Sequence, residues 1–320
     1  MFYQVAVIEW EAEEDGLPQV IYNELSRLGH SPIYFPHDTE IPQDADVIFS
    51  FGPYGNFLNI GRQISCLPSQ ERPTWAHWNT EGLPGLLLPW VFVKYLGAFR
   101  SYIGRFGENG GRSEQLLYNL LLKPWENRAL RFRYVGDYYY AYRKGLLNVF
   151  SDSSTIYAQI HQSHGLPTIV APWGGTPIWY NDLGIDRDLD VLWMGQRGSN
   201  RRSRSLDRIR EELFKRGVEI YVADNLENPF IFGKERTEYL NRAKITLNLT
   251  RTWFDDNFSR FAMAAPNHSL IVSEPLLPHC PQYIAGKHYV SAQKEKLAER
   301  IVYYLENDDR RKSITDDAYQ

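Results

Sequence analysis

The run Asp190–Ser205, DVLWMGQRGSNRRSRS, holds the densest set of residues able to do chemistry. An apolar stretch ends in Gly195, passes Gly198, and enters a segment carrying Arg197, Arg201, Arg202 and Arg204. A helix start offers unpaired N–H groups and the positive end of its dipole to an anion. Arginines add paired donors that match phosphate oxygens, and glycines let the backbone approach. The combination suits a diphosphate; a solvated basic helix start explains the same residues more plainly. The spacing is neither a P-loop nor a GxGxxG fingerprint, so ATP or NAD is not indicated.

Acid–base candidates fall at two strand ends in the first half. One is Glu9-Trp10-Glu11 through Asp15-Gly16; the other is His77-Trp78-Asn79-Thr80-Glu81-Gly82. Glu81 and His77 could act as a general base, orient acceptor hydroxyls, or serve as structural polar groups. His161, His164, His279 and His288 lack ligand-like spacing. Arg100–Lys144 interleaves basic and aromatic residues, ending RFRYVGDYYYAYRK. That pattern suits an anionic glycan, a lipid-linked acceptor or single-stranded RNA. A helix with packed tyrosines and outward cations explains it equally. A net charge of −4 gives no general pull toward nucleic acid, and no nucleic-acid partner is expected.

Two cysteines, Cys66 and Cys280, stand far apart with no Cys/His cluster. No metal site is expected, and two thiols fit a reducing compartment. The start, MFYQVAVIEWEAEED, has no basic segment before its apolar run, so a cytoplasmic location is expected. Gly85–Phe99 (GLLLPWVFVKYLGAF) is the longest apolar stretch, broken by Pro89 and Lys94. It falls short of the ~18 residues of a membrane span. It is read as a buried segment, with a membrane-facing or acceptor-facing patch as the alternative.

The elements that must position these residues alternate between strand and helix. Tyr3–Glu9, Pro32–Phe35, Ala45–Phe51 and Thr74–Trp78 read as strands. Leu17–Leu28 has helical spacing, with Val20, Ile21, Leu25 and Leu28 on one face, and Asn56–Cys66 is a further helix. Residues 83–133 read as a helical insertion. Leu146–Ser151, helix Ser154–His164 and Pro167–Ala171 restore the pattern. The Pro/Gly/Asp-rich run from Pro172 to Asp188 reads as a linker. Strands Asp190–Met194, Val218–Ala223, Ile245–Leu249 and Leu270–Ser273 follow. Helices Ser205–Arg216, Lys234–Lys244, Arg260–Ala265 and Lys296–Glu306 lie among them. Lys312–Gln320 reads as a helix start capped by Ser313 or Thr315, and so as a shortened terminus. The fold expected is α/β: two facing Rossmann-like domains with an interdomain cleft. The domains are 1–175 and 189–320, with a linker at 176–188.

Residues 188–317 resemble the C-terminal domain of group 1 glycosyltransferases, of GT-B architecture, closest to the spore-maturation (CgeB-like) branch. The resemblance rests on the strand–Gly–loop–Arg-rich helix above, then GKERTEYLNRAKITLNLTR (Gly233–Arg251) and FDDN (Phe254–Asn257). SRFAMAAPNHSLIVSE (Ser259–Glu274) and KLAERIVYYLENDDRRKSI (Lys296–Ile314) complete it. It implies that Asn248, Arg251, Asp255, Asp256, Ser259 and Arg260 line a nucleotide-sugar pocket, beside Gly195, Arg197, Arg201 and Arg202. Many group 1 enzymes carry two glutamates eight positions apart here, which map to Asp255 and Met263. Methionine cannot usefully accept a ribose hydroxyl bond. Glu274, eleven residues on, is not an obvious substitute.

The expected activity is transfer of a sugar from a UDP- or GDP-sugar to an unidentified hydroxyl on a glycan, lipid-linked or protein acceptor. Arginines and the helix end would meet the charge of the leaving diphosphate. No metal or other cofactor is expected, and the resemblance leans toward retention at the anomeric carbon. Peripheral membrane contact is allowed for. The alternatives are an inactive nucleotide-sugar-binding module, or a cell-envelope or spore-coat assembly protein on the same fold.

Overall fold

The computed structural model describes residues 2–9, 16–36, 39–52, 57–109, 130–254, 258–277 and 283–320. The chain divides into two compact units. The first holds the N-terminal strand and Leu17–Ala171, and the second holds Pro172–Gln320.

The first unit runs β1 (Gln4–Glu9), α1 (Leu17–Arg27), β2 (Ser31–Pro36), β3 (Val47–Phe51), α2 (Phe57–Cys66) and β4 (Thr74–Asn79). It continues through α3 (Trp90–Asn109), α4 (Leu130–Arg143), β5 (Val149–Asp152), α5 (Thr155–Ser163) and β6 (Ile169–Val170). The strands form one sheet in the order β2-β1-β3-β4-β5-β6, and every pairing is parallel. Parallel neighbours need crossovers, which the helices supply. Ile8, Ile48 and Trp75 of the strands and Ile60 and Ile64 of α2 are fully buried.

Among the described residues, α3 packs against α4, which runs from the end of the expected insertion to Arg143. They meet where Gly97 faces Gly136: a Cβ on Gly136 would lie 2.0 Å from the Gly97 carbonyl oxygen. Only two glycines permit that approach. Contrary to expectation, Gly85–Phe99 is not buried throughout. Val93 is buried, whereas Leu87, Val91, Tyr95 and Phe99 are exposed. The segment is apolar on two sides, and α4 covers one of them.

The second unit runs β7 (Leu189–Met194), α6 (Asn200–Phe214), β8 (Ile220–Ala223), α7 (Gly233–Arg242), β9 (Ala243–Asn248) and α8 (Ser259–Ala264). β10 (Leu270–Ser273), β11 (Val290–Ser291), α9 (Leu297–Glu306) and α10 (Asp308–Tyr319) complete it. Its sheet has the order β11-β10-β9-β7-β8, again wholly parallel. Val191 and Trp193 of β7, Ile245 and Leu247 of β9, and Val272 of β10 pack on Leu206, Ile209 and Leu213 of α6 and on Leu297 and Ile301 of α9. The run expected as a linker is tied to this unit. Arg187 donates to the carbonyls of Leu240, Ala243 and Asn267, and Asn241 Nδ2 donates to Asn181 O.

Two helix starts differ by more than one residue from the sequence reading. α6 begins five residues before Ser205, because Ser199 caps it by accepting the Arg202 N–H. α10 begins at Asp308 after Asn307, with Asp308 and Asp309 in its first turn, a favourable place for carboxylates at the positive dipole end.

Candidate functional site

The strand order of the second unit creates a topological switch point. β7 and β9 are neighbours, but the chain leaves β7 toward β8 and leaves β9 toward β10. Their loops therefore diverge, and open parallel sheets bind ligands in the crevice at such carboxyl ends. β7 ends at Met194, and Gly195 follows with φ +121, a backbone that side chains resist. A Cβ there would also stand 2.7 Å from Arg260 Nη2. Arg260 extends from the first turn of α8, which is pinned by buried Phe261, Ala262 and Ala264. Its Nε donates to Met194 O at 2.8 Å, and Nη1 donates to Asn248 Oδ1 at 3.0 Å. One guanidinium thus spans the ends of β7 and β9. Asn248 is itself fixed, with Nδ2 donating to Ser273 Oγ at 2.9 Å. The structure brings together Gly195, Asn248 and Arg260 from the expected set.

The arginines after Gly195 are engaged within the unit. Arg197 meets three carboxylates: Nε to Asp224 at 2.6 Å, Nη1 to Asp207 at 2.5 Å and Nη2 to Glu227 at 2.5 Å. Burial works against the Asp224 carboxylate. The Glu227 N–H, Arg197 and the Leu226 N–H outweigh it and hold that group below its ordinary pKa. Arg197, expected at phosphates, is here a clamp joining the end of β8 to α6. Arg202 is buried and donates to Gln196 O at 2.7 Å, shaping the loop from behind rather than presenting an open fork. Arg201 pairs with Glu274 and donates to Thr250 O at 2.9 Å; about a third of its side chain is exposed, so it borders the crevice.

Glu274, set aside on sequence spacing, converges on this site. It is buried at the end of β10 and accepts from the Thr250 N–H at 2.9 Å, the Thr250 hydroxyl at 3.0 Å and Arg201. Strand order explains the surprise: Ser273 is in register with Asn248, so residues far apart in sequence end side by side. The signal available was a polar pair, Ser273-Glu274, directly after an apolar strand. Met263 is half-buried on α8. Arg251 is exposed, and its carbonyl accepts from Ser199 Oγ at 3.2 Å. Ser259 opens α8 and is half-buried. Asp255 and Asp256 lie outside the described residues.

In the first unit, His77 and Glu81 occupy different settings. His77 is buried on β4 among Phe57, Tyr138 and Phe150. Trp75 Nε1 donates to Ser50 Oγ at 2.9 Å, and the Ser50 hydroxyl is hydrogen-bonded to His77 Nδ1 at 2.8 Å. Burial pushes the imidazole down to about 3. This is an interior neutral histidine, not a base facing an acceptor. Glu81 follows the carboxyl end of β4. Its N–H donates to Asn79 Oδ1 at 3.2 Å, and its carboxylate lies 3.7 Å from Arg131. Asn79 in turn donates to Asp152 at 2.7 Å and accepts from the Tyr138 hydroxyl at 3.1 Å. Glu81 thus stands on a rigid, polar strand end. The basic-aromatic tail of the insertion is α4, with Tyr138 and Tyr139 buried and Arg133 paired to Asp137. That arrangement matches the plain packing reading.

Among the described residues, no three His, Cys, Asp or Glu side chains gather to hold a metal ion, and no helix is long and apolar enough to cross a membrane. A search of curated protein sequences finds no match. Solved structures do match. The sucrose-phosphate synthase of Thermosynechococcus elongatus aligns at 10% identity and a TM-score of 0.57, over 99% of this chain and 93% of that one. AviGT4, a glycosyltransferase involved in avilamycin A biosynthesis, aligns at 11% identity and 0.53, over 99% and 92%. Anabaena HepE, solved with UDP and glucose, aligns at 9% identity and 0.52, over 99% and 94%. These likenesses establish a GT-B fold built from two Rossmann-like units. Residues 201–320, most of the second unit, match the model of a family described as glycosyl transferase-like.

Proposed function

We propose that the chain transfers a sugar from a nucleoside-diphosphate donor to a hydroxyl acceptor. The observation that carries this reading is Arg260 lying across the ends of β7 and β9 beside Gly195. A guanidinium at a switch point, next to a residue without a side chain, suits a diphosphate oxygen. It would stabilise the charge that grows as the sugar departs, with no metal required. The family match to the same unit supports the reading, and HepE, solved with UDP and glucose, makes UDP-glucose the first donor to try. Asp255, Asp256, Arg251 and Ser259 belong to the donor side of this proposal, with retention at the anomeric carbon and the spore-maturation branch as its finer parts. Glu81 is the acceptor-side candidate, and the cytoplasm is the compartment proposed.

The test is calorimetric titration of UDP, GDP and their sugars, then turnover with and without EDTA. Arg260→Ala should weaken binding of the preferred diphosphate about 10- to 100-fold, as loss of a bond to a charged group implies. Unchanged affinity would remove Arg260 from the site. A second reading rests on Met263, a thioether where the resemblance places a ribose-binding glutamate. Tight donor binding with neither transfer nor donor hydrolysis would favour an inactive binding module.

A further inference from the structure

Residues 87–102 present an apolar face that is exposed among the described residues. Leu87 is 83% exposed, Val91 65%, Tyr95 70%, Phe99 57% and Tyr102 53%. From Val91 onward these recur every three or four residues, which places them on one side of α3. The helix is held firmly with that side outward. Trp90 stacks on His164 with centroids 4.3 Å apart, Phe92 meets Phe132 edge-on at 5.8 Å, and Gly97 abuts Gly136. Leaving aside Phe92, which packs on Phe132, these five side chains expose on the order of several hundred Å², the size at which a patch on a soluble monomer is often functional.

The charges around it select the occupant. No Asp or Glu occurs between Glu81 and Glu108. Among the described residues, Lys94 is the exposed charge along the face, an amine whose aliphatic stem can lie on apolar surface while its head reaches outward. Pairing two copies about a twofold axis would bring two Lys94 side chains onto one interface with no Asp or Glu from residues 82–107 of either copy to meet them. An anionic bilayer surface has the opposite property. It accepts apolar and aromatic side chains at headgroup depth and attracts the cation. Tyrosines such as Tyr95 and Tyr102 favour that interface, with ring buried and hydroxyl wet.

We propose that α3 and the turn before it form a membrane-docking segment that lies in the plane of an anionic lipid surface, inserting Leu87 of the turn and Val91, Tyr95 and Phe99 of the helix, with Lys94 at the headgroups. This stands apart from the sugar-transfer reading and needs no donor or acceptor to test. The purified chain is sedimented with vesicles of phosphatidylcholine alone, or with about a third phosphatidylserine. The chain should pellet with the anionic vesicles. Tyr95→Glu/Phe99→Glu should abolish pelleting with an unchanged thermal midpoint; Val91→Glu/Tyr102→Glu should do the same if the first pair misfolds. Lys94→Ala should weaken anionic binding about fivefold. The proposal is overturned if the parent chain ignores anionic vesicles or binds neutral ones equally well. It is also overturned if both double variants still pellet, or if the parent is a dimer that they dissociate.

Discussion

Two buried histidines in the first unit should make the fold acid-sensitive in a calculable way. His77 and His161 are both held down to about 3, by burial in each case and, for His161, also by the nearby His164. The His161 Nε2 lies 4.0 Å from Asp152 Oδ2, too far to bond. The Asp152 oxygens are already taken by Asn79 and the Ser154 N–H, so burial governs. In the unfolded chain each imidazole titrates near 6.5. Between that value and about 3 the unfolded state binds more protons than the folded state, so stability rises with pH across the window. The contribution is present in full above the unfolded value and is lost as pH falls through it. Going from pH 7 to pH 5 should cost about 2 kcal/mol for each histidine and ~4 kcal/mol for the pair. That is a large part of a typical total of 5–15 kcal/mol. Urea unfolding at both pH values measures it, followed by fluorescence of the tryptophans. His77→Gln and His161→Gln will each lower stability at pH 7, but each should also shrink the pH 7-to-5 loss by about 2 kcal/mol. A loss of the same size in parent and variants would show that these imidazoles charge without unfolding the chain, and the burial argument would fail.

Glu274→Ala strands the buried Thr250 N–H and leaves Arg201 without its carboxylate. Because Arg201 is partly hydrated, the expected loss is about 2 kcal/mol, read by denaturant melts; Glu274→Gln should recover part of it. If the chain is a transferase, Glu81→Gln should retain donor affinity and lose about 10²–10⁴-fold in turnover, measured with any donor that binds. Gly136→Ala puts a methyl group against a carbonyl oxygen of α3 and should destabilise by at least about 2 kcal/mol, while Gly145→Ala, which meets nothing nearby, separates clash from its own backbone strain.

The strands and most helices were legible because period-two and helical spacing survive wherever one face is buried. What was not legible depends on partners distant in sequence. Ser199 starts α6 early, yet a cap reads as loop when arginines dilute the apolar spacing behind it. The Arg197 clamp needs Asp224 and Glu227, brought close by the pairing of β8 with β7. Glu274 reaches the crevice through the order β10-β9-β7, which a linear spacing rule cannot express. His77 looked like a base because it neighbours a strand end; the alternation of the strand turns it inward. The apolar run at Gly85–Phe99 shows composition without direction, since hydrophobicity alone does not say which face α4 will cover.

Each sheet is built from one uninterrupted stretch of strands: β1 to β6 all precede Val191, and β7 to β11 all follow Val170. No strand of the first sheet waits for a residue of the second. During synthesis the first sheet can therefore close, β6 against β5, before the strands of the second leave the ribosome. At about 5–20 residues per second, the first strand of the second sheet follows about 1–4 s after Val170 and the last about 6–24 s after it, against the ms–s folding of small domains. The nascent chain thus need not expose two half-finished parallel sheets together, a circumstance in which strands exchange between sheets and chains aggregate.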